Sequence, residues 1–165
     1  MKVLHVGCGG ESMPDFLEGY EEIRLDVDSS CNPDIVANLL ELKDIGQYDA
    51  VYGSHVLEHF SQDEVDTVLS EMRRILNPGG IVVMVVPDLT WARPTTEVLY
   101  KSPYGPITGL DMFYGHQELI KSNPYMAHKI AFTRDTLGEF LGKHFEKVNV
   151  RAFSMYNLIG VGMKI

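Results

Sequence analysis

Short runs of apolar residues recur along the chain, and stretches with apolar residues at helical spacing lie between them. The runs consist mostly of Val, Ile, Leu and Met, which is typical of parallel strands buried on both faces of a sheet. This alternation predicts an α/β fold with a doubly wound, mainly parallel sheet. The predicted strands occupy residues 2–6, 23–27, 48–52 and 81–86.

The clearest helix is predicted for residues 62–76, where apolar residues recur at spacings of three and four and therefore share one face. Ser61 and Glu64 form a capping-box pattern at its start. The sequence Asn-Pro-Gly-Gly at 77–80 ends the helix in a tight turn before the next strand. This region therefore predicts a strand, a helix and a second strand in succession.

A second helix is expected to begin at Thr133, whose hydroxyl can cap it while Phe132 packs on Leu137. Two further strand-like runs follow this helix, at residues 147–153 and 158–164. They predict a closing pair of strands.

Residues 87–131 show no clean periodicity and are rich in proline and aromatic residues. An irregular segment of this length is uncommon unless it acts as a lid or a binding surface. We therefore expect a single domain, residues 1–165, in which 87–131 is a lid or substrate segment. Its aromatic residues include Trp91, Tyr100, Tyr104, Phe113, Tyr114 and Tyr125.

Composition limits the partners of this domain. The 14 Lys and Arg residues against 23 Asp and Glu residues give a net charge of −9, which argues against nucleic-acid binding through phosphate neutralisation. Cys8 and Cys31 lack metal-ligand spacing and are too few for a disulfide scaffold, which indicates thiols in a reducing compartment. No stretch approaches the ~20 apolar residues of a membrane span. We expect a cytoplasmic monomer or homodimer that does not bind membranes.

Gly7, Gly9 and Gly10 follow the first predicted strand. In a parallel sheet, ligands bind beyond the carboxyl ends of the strands, at the point where the strand order reverses. An acidic residue at the end of the second strand, Asp26 or Asp28, is then placed to accept hydrogen bonds from ribose hydroxyls. The spacing fits either a dinucleotide or an adenosyl ligand.

The glycine pattern separates these two ligands. A dinucleotide-binding fold has G-x-G-x-x-G, so that a helix N-terminus meets the pyrophosphate. This chain reads G-C-G-G-E-S-M-P, with no glycine in third place and no P-loop lysine after it. A ligand without phosphate needs only the close approach of the backbone. The pattern favours an adenosyl ligand, with an NAD-dependent oxidoreductase as an alternative.

Four motifs in order, "VLHVGCGG", "IRLDVD", "YDAVYGSHVLEHF" and "RRILNPGGIVVMVVPDL", resemble those of the class I S-adenosylmethionine-dependent methyltransferases, in particular the small bacterial "SHVLEH" type. The resemblance covers residues 2–90. It implies a Rossmann-like fold with an antiparallel C-terminal strand, and S-adenosyl-L-methionine as cofactor. It also implies in-line methyl transfer to an acceptor. The acidic composition and the aromatic residues of 87–131 favour a small-molecule acceptor, with sugar-like molecules among the candidates, rather than DNA.

The same resemblance implies contacts to the cofactor near the first two strands. The backbone of Gly7, Cys8 and Gly9 would contact the amino-acid part of the cofactor. Asp26 would bind the ribose, with Asp28 as the less favoured candidate.

Four further cofactor contacts are implied at later positions. Asn38 and Leu39 lie where the family contacts adenine, and the Asn38 carbonyl can accept a hydrogen bond from the exocyclic amine. Ser54 and His55, shortly after the predicted strand 48–52, would lie under the methionine part and the transferable methyl group.

The sequence departs from the family pattern in three places. His5 replaces the acidic residue that usually stands two positions before the first glycine and helps hold the ligand's amino group. The segment 11–22, where the family has its first helix, is short and includes Pro14. It therefore predicts a truncated first helix and a more open cofactor site. Asn38 stands at a position that is often acidic. These departures keep a non-catalytic adenosyl-binding or interaction protein as an alternative.

A catalytic base is needed only if the acceptor must lose a proton. His55, His116 and His128 are the candidates, because imidazole titrates near neutral pH. The sequence does not choose among them.

His55, Glu58 and His59 also suggest metal ligands, since residues four apart on a helix can present two imidazoles to one ion. The segment is not a full H-E-x-x-H match, and the sequence suggests no third ligand. We therefore expect no metal site.

Overall fold

The computed structural model of the chain describes residues 1–154 and 156–165, and its centre is a seven-stranded sheet. The strands in chain order are β1 (Lys2–Val6), β2 (Glu21–Asp26), β3 (Ile35–Val36), β4 (Tyr48–Ser54), β5 (Leu76–Pro87), β6 (Val98–Ser102), β7 (Gly105–Thr108), β8 (Glu146–Phe153) and β9 (Asn157–Met163). The spatial order in the main sheet is β3-β2-β1-β4-β5-β9-β8, and β6 and β7 form a separate hairpin.

The strand order reverses next to β1. The chain runs outward from β1 through β2 to β3, and then crosses back to place β4 on the other side of β1. β1 to β5 pair in parallel, whereas β9 is antiparallel to both β5 and β8. The predicted mainly parallel sheet with an antiparallel C-terminal strand is thus confirmed. Its switch point lies at the carboxyl ends of β1 and β4.

The described residues form the α-helices α1 (Gln62–Ile75), α2 (Gly109–Tyr114), α3 (Gln117–Ser122) and α4 (Arg134–His144). α1 starts with the predicted capping box, in which the Ser61 amide donates to Glu64 Oε2 at 2.8 Å. Thr133 caps α4 as predicted, by accepting from the Thr136 amide. Within residues 1–154 and 156–165, no helix is both long and apolar enough to cross a membrane.

The turn after α1 lies inside an extended segment. Leu76 already pairs with Tyr48, and regular pairing resumes only at Ile81 opposite Ala50. The predicted Asn-Pro-Gly-Gly turn therefore forms a bulge within β5, with Gly79 at a φ of +80°.

The two faces of the sheet are covered unequally. The long helices α1 and α4 pack on the same face, in one cluster with Leu4, Val51 and Met84. The other face is covered largely by the segment around the short 3₁₀ turn Asp15–Leu17, which stands where a first helix was expected to be truncated.

The segment 87–131 is more ordered than its irregular sequence predicts. It contains the β6–β7 hairpin and the short helices α2 and α3. Thr108 caps α2 through a reciprocal pair of hydrogen bonds with Asp111. These elements have four to six residues each, too few to produce a detectable hydrophobic period.

An ion pair fastens α1 to the edge strand β8. Arg73 donates to both carboxylate oxygens of Glu146, at 3.0 and 3.1 Å. The hydrogen bond with Arg73 and the Ile165 amide lower the pKa of Glu146 to about 2. Because the carboxyl is more acidic in the folded state, its contribution to stability is complete above its ordinary pKa. That contribution is lost as the pH falls toward the folded value.

We expect Glu146→Gln to lower the melting temperature at neutral pH by about 1–3 °C, because this exposed pair contributes little. The difference from the unmodified protein should shrink as the pH falls from about 5 toward 2. Thermal unfolding followed by circular dichroism measures it, with the exposed Glu18→Gln as the control. A difference that stays constant over this pH range would contradict the assignment.

Candidate functional site

The loop after β1 has two glycines whose backbone conformation and surroundings explain the missing side chains. Gly7 and Gly9 have φ angles of +59° and +46°. A Cβ on Gly7 would lie 2.5 Å from a methyl carbon of Val56, whereas a Cβ on Gly9 would meet no atom within 4 Å. Gly7 is therefore required by packing, and Gly9 borders open space at the switch point.

Asp26, at the end of β2, faces this loop. Its Oδ2 accepts from the Gly9 amide and its Oδ1 from the Asp28 amide, both at 2.9 Å. A carboxylate offers about four acceptor positions, so this half-buried group retains acceptor capacity. Asp28 is exposed and caps the 3₁₀ turn Ser29–Cys31 by accepting from the Ser30 amide at 2.8 Å. Of the two candidates for the ribose contact, Asp26 therefore faces the glycine loop, whereas the Asp28 carboxylate caps its own turn.

Arg24 holds the glycine loop from β2, and the sequence contains no sign of this role. Its guanidinium donates to the carbonyl oxygens of Gly9 and Glu11 at 2.7 and 2.8 Å, and to Glu22 at 3.3 Å. Its position on the strand neighbouring β1 makes the contacts possible.

His5, at the position where the family pattern has an acid, pairs with an acid from the next strand. Its Nδ1 donates to Glu22 Oε1 at 2.6 Å, and its ring packs on Tyr52. Burial lowers the pKa of His5, although the contact with Glu22 opposes this shift. Although His5 replaces the acidic residue of the family pattern, the carboxylate of Glu22 lies beside the His5 ring.

Cys8 lies between the two glycines and is fully buried. Its amide donates to the Leu25 carbonyl at 3.2 Å, and burial raises the pKa of its thiol to about 11. Cys8 Sγ, Cys31 Sγ and an oxygen of Asp26 all lie within 4.8 Å of one another. The fold thus brings together two cysteines whose spacing along the chain suggested no common site.

Asn38 and Leu39 follow β3 at the same edge of the sheet. Asn38 is exposed and its Oδ1 accepts from the Leu40 amide at 2.9 Å, while Leu39 belongs to the core. The Asn38 oxygen keeps a second lone pair for another donor.

Ser54 and His55 lie at the carboxyl end of β4. His55 has a φ of +56°, a conformation that is uncommon for residues other than glycine and that clusters at functional sites. Its amide donates to the Val85 carbonyl at 2.9 Å, and its Nδ1 donates to Glu58 Oε1 at 3.0 Å. Desolvation opposes protonation of His55, but the hydrogen bond and charge of Glu58 prevail and raise its pKa.

His55 and His59, four residues apart in the sequence, do not lie together on one α-helix. His55 precedes the 3₁₀ turn Leu57–His59 and turns toward Glu58, while His59 packs against His128 with ring centroids 5.2 Å apart. Ligand atoms of Glu58, His59 and His128 all lie within 4.8 Å of one another. His128, a possible third ligand that the sequence did not suggest, therefore comes from the end of the segment 87–131.

His116 occupies a different position from the other two base candidates. It precedes α3, and neither ring nitrogen has a hydrogen-bond partner among the residues that the structure describes. Of the three predicted base candidates, His55 and His128 both border Glu58.

The β6–β7 hairpin reaches the glycine loop. The Tyr104 hydroxyl, in the turn of the hairpin, donates to the carboxylate of Glu11. Tyr100 stacks on Tyr156 with centroids 5.4 Å apart. These contacts place the segment 87–131 beside the cofactor-binding candidates.

A protein-family model described as a methyltransferase domain matches residues 4–84, which is close to half of the chain. Among curated proteins, none matches. The fold resembles several solved structures of low sequence identity.

An O-methyltransferase family protein from Burkholderia thailandensis is 13% identical with a TM-score of 0.66, and the alignment covers 99% of this chain and 50% of that protein. Human N-acetylserotonin methyltransferase, solved in complex with SAM, is 11% identical with a TM-score of 0.67, covering 98% and 47%. A SAM-dependent methyltransferase from Archaeoglobus fulgidus is 16% identical with a TM-score of 0.67, covering 99% and 86%. The chain thus spans about half the length of the first two proteins, with which it shares the fold.

Proposed function

The chain belongs to the class I S-adenosylmethionine-dependent methyltransferase family, and from this premise we propose that it transfers a methyl group from S-adenosylmethionine to a small-molecule acceptor. The observation that carries the proposal is the pairing of Gly9 with Asp26. An open, positive-φ glycine and a carboxylate with spare acceptor positions meet at the switch point of the sheet.

The residues at this edge fit an adenosyl cofactor. The space beside Gly9 admits a ligand against the backbone, and Asp26 can accept from two ribose hydroxyls while it holds the loop. Gly7 and Cys8 would contribute backbone contacts, and Glu22 beside His5 offers a carboxylate for the cofactor's amino group. Asn38 and Leu39 would border adenine.

When bound, S-adenosylmethionine supplies a methyl group already activated by its sulfonium. The protein then needs to orient the acceptor for in-line attack and to exclude water, an effect worth roughly 7–11 kcal/mol. Ser54 and His55 would lie next to the methyl group, because Ser54 ends β4 and His55 follows it at the switch point. The segment 87–131 would close over the acceptor, since Tyr104 already reaches Glu11 beside the glycine loop.

His55 is the proposed base where the acceptor must lose a proton. Its Nδ1 donates to Glu58, so in the neutral ring Nε2 carries the free lone pair. Its side chain is 44% exposed and so can meet an acceptor. His116 and His128, in the segment that would cover the acceptor, are the other candidates.

We propose a small acceptor, with sugar-like molecules among the candidates, because the net charge of −9 disfavours large polyanions. The proposed location is the cytoplasm, a reducing compartment in which Cys8 and Cys31 would remain thiols. A monomer or homodimer is the proposed assembly.

Calorimetric titration with S-adenosylhomocysteine tests the cofactor before the acceptor is known. We expect one molecule bound per chain with a dissociation constant in the micromolar range, about −8 kcal/mol. NADH should not bind, because the loop lacks the third glycine and the helix that would meet a pyrophosphate. Binding of NADH but not of S-adenosylhomocysteine would favour the oxidoreductase alternative, and binding of neither would contradict the proposal.

A further inference from the structure

Glu58, His59 and His128 form a polar cluster where the end of the segment 87–131 returns to the turn after β4. The Lys129 amide donates to the Glu58 carbonyl at 2.7 Å, which holds the two segments side by side. An imidazole nitrogen of each histidine and a carboxylate oxygen of Glu58 all lie within 4.8 Å of one another. This separation allows one ion to contact all three after small side-chain movements.

Both histidines already have one ring nitrogen engaged. Nδ1 of His59 donates to the Ala127 carbonyl at 3.2 Å, and Nδ1 of His128 donates to the Met112 carbonyl at 2.9 Å. Because a carbonyl can only accept, Nδ1 carries the proton in each neutral ring and Nε2 carries the free lone pair. Metal-binding histidines in proteins are commonly oriented in this way.

Glu58 supplies an oxygen that lacks a partner. The residue is only 1% exposed, its Oε1 accepts from His55, and Oε2 has no hydrogen-bond partner among the residues that the structure describes. An unpaired buried carboxylate oxygen is costly, and a bound cation is one way to satisfy it.

We propose that Glu58 Oε2, His59 Nε2 and His128 Nε2 bind a divalent transition-metal ion of the zinc type. Two imidazole nitrogens and one carboxylate oxygen are a ligand set typical of Zn²⁺ with a position left for water or substrate, whereas Mg²⁺ prefers oxygen ligands. The site goes beyond the proposed methyl transfer and does not depend on it. It assigns His128 to the ion and leaves His55 and His116 as candidates for the base.

The ion would also fasten the segment 87–131. His128 lies near the end of that segment, and Glu58 and His59 lie in the turn after β4, so a shared ion joins them more strongly than the backbone hydrogen bonds alone. Metal binding should therefore stabilise the fold as any ligand of the native state does.

Titration of the untagged, metal-free protein with Zn²⁺ and, separately, with Co²⁺ tests this site. We expect one ion per chain, visible absorption from bound Co²⁺ and a higher melting temperature with Zn²⁺ but not with Mg²⁺. His59→Gln and His128→Gln should each weaken Zn²⁺ binding at least tenfold. His144→Gln is the matched control, because His144 lies at the end of α4 and pairs with Asp66.

Other results would overturn the proposal. One is the absence of stoichiometric binding, with melting temperatures that do not respond to Zn²⁺. Another is tight binding that survives both histidine substitutions but is lost in Cys31→Ser, which would place the ion beside Cys8 and Asp26. Melting curves of each variant without metal show whether it folds, and titration with S-adenosylhomocysteine, measured separately, keeps the cofactor proposal distinct.

Discussion

Replacing Asp26 with Ala is expected to weaken binding of S-adenosylhomocysteine about a hundredfold. In the proposed complex the Asp26 carboxylate accepts hydrogen bonds from the ribose, and bonds to a charged acceptor are worth about 1.5–3 kcal/mol each. Loss of about 3 kcal/mol corresponds to this change in the dissociation constant. Calorimetry measures it directly.

The substitution also removes two acceptors from the protein itself, since Asp26 holds the Gly9 and Asp28 amides. We expect a lower melting temperature but a folded protein, because these amides lie in a loop near the surface. Asp28→Asn is the matched control, because the Asp28 carboxylate lies two residues away and accepts from the Ser30 amide of its own turn; this variant should bind the ligand normally. Unchanged affinity in Asp26→Ala would exclude the assigned ribose contact.

Replacing Gly9 with Val is expected to abolish measurable binding of S-adenosylhomocysteine. The side chain would extend into the open space that the cofactor backbone contact requires, since a Cβ there meets no protein atom within 4 Å. The φ of +46° adds a conformational cost of about 2 kcal/mol to folding. Thermal unfolding and calorimetry on the same sample separate these two effects.

Gly46→Val provides the control for backbone strain. Gly46 also has a positive φ, +91°, and open surroundings, but it precedes β4 and therefore lies at the opposite edge of the sheet. It should lose stability to a similar degree and keep its affinity for the ligand. If Gly9→Val binds S-adenosylhomocysteine as well as Gly46→Val does, the glycine loop has only a structural role.

The strands and long helices were largely predictable, because each buries a face whose period can be read along a few consecutive residues. β1 matches its predicted range, and α1 begins at its predicted capping box and ends one residue early. The two-residue β3 and the β6–β7 hairpin were missed because they are too short or too irregular for a period to emerge. These strands form because they pair with a neighbouring strand, β3 with β2 and β6 with β7.

At the site, the residues at or just after the carboxyl ends of strands were predictable, and their hydrogen-bond partners were not. Gly7, Gly9 and Asp26 follow from the rule that the carboxyl ends of parallel strands meet at one edge. The hold of Arg24 on the glycine loop and the approach of Tyr104 to Glu11 join segments whose contact depends on how the sheet and hairpin assemble.

The sequence alone was sufficient to place the glycine loop and the acidic residue of β2 at one sheet edge, because strand polarity and hydrophobic period are local properties. It was not sufficient to bring His128 to Glu58 and His59, or to pair His5 with Glu22. Those contacts depend on the packing of segments that are distant in the sequence. Burial there removes water, so each polar group must form its hydrogen bonds with the neighbours that the fold provides.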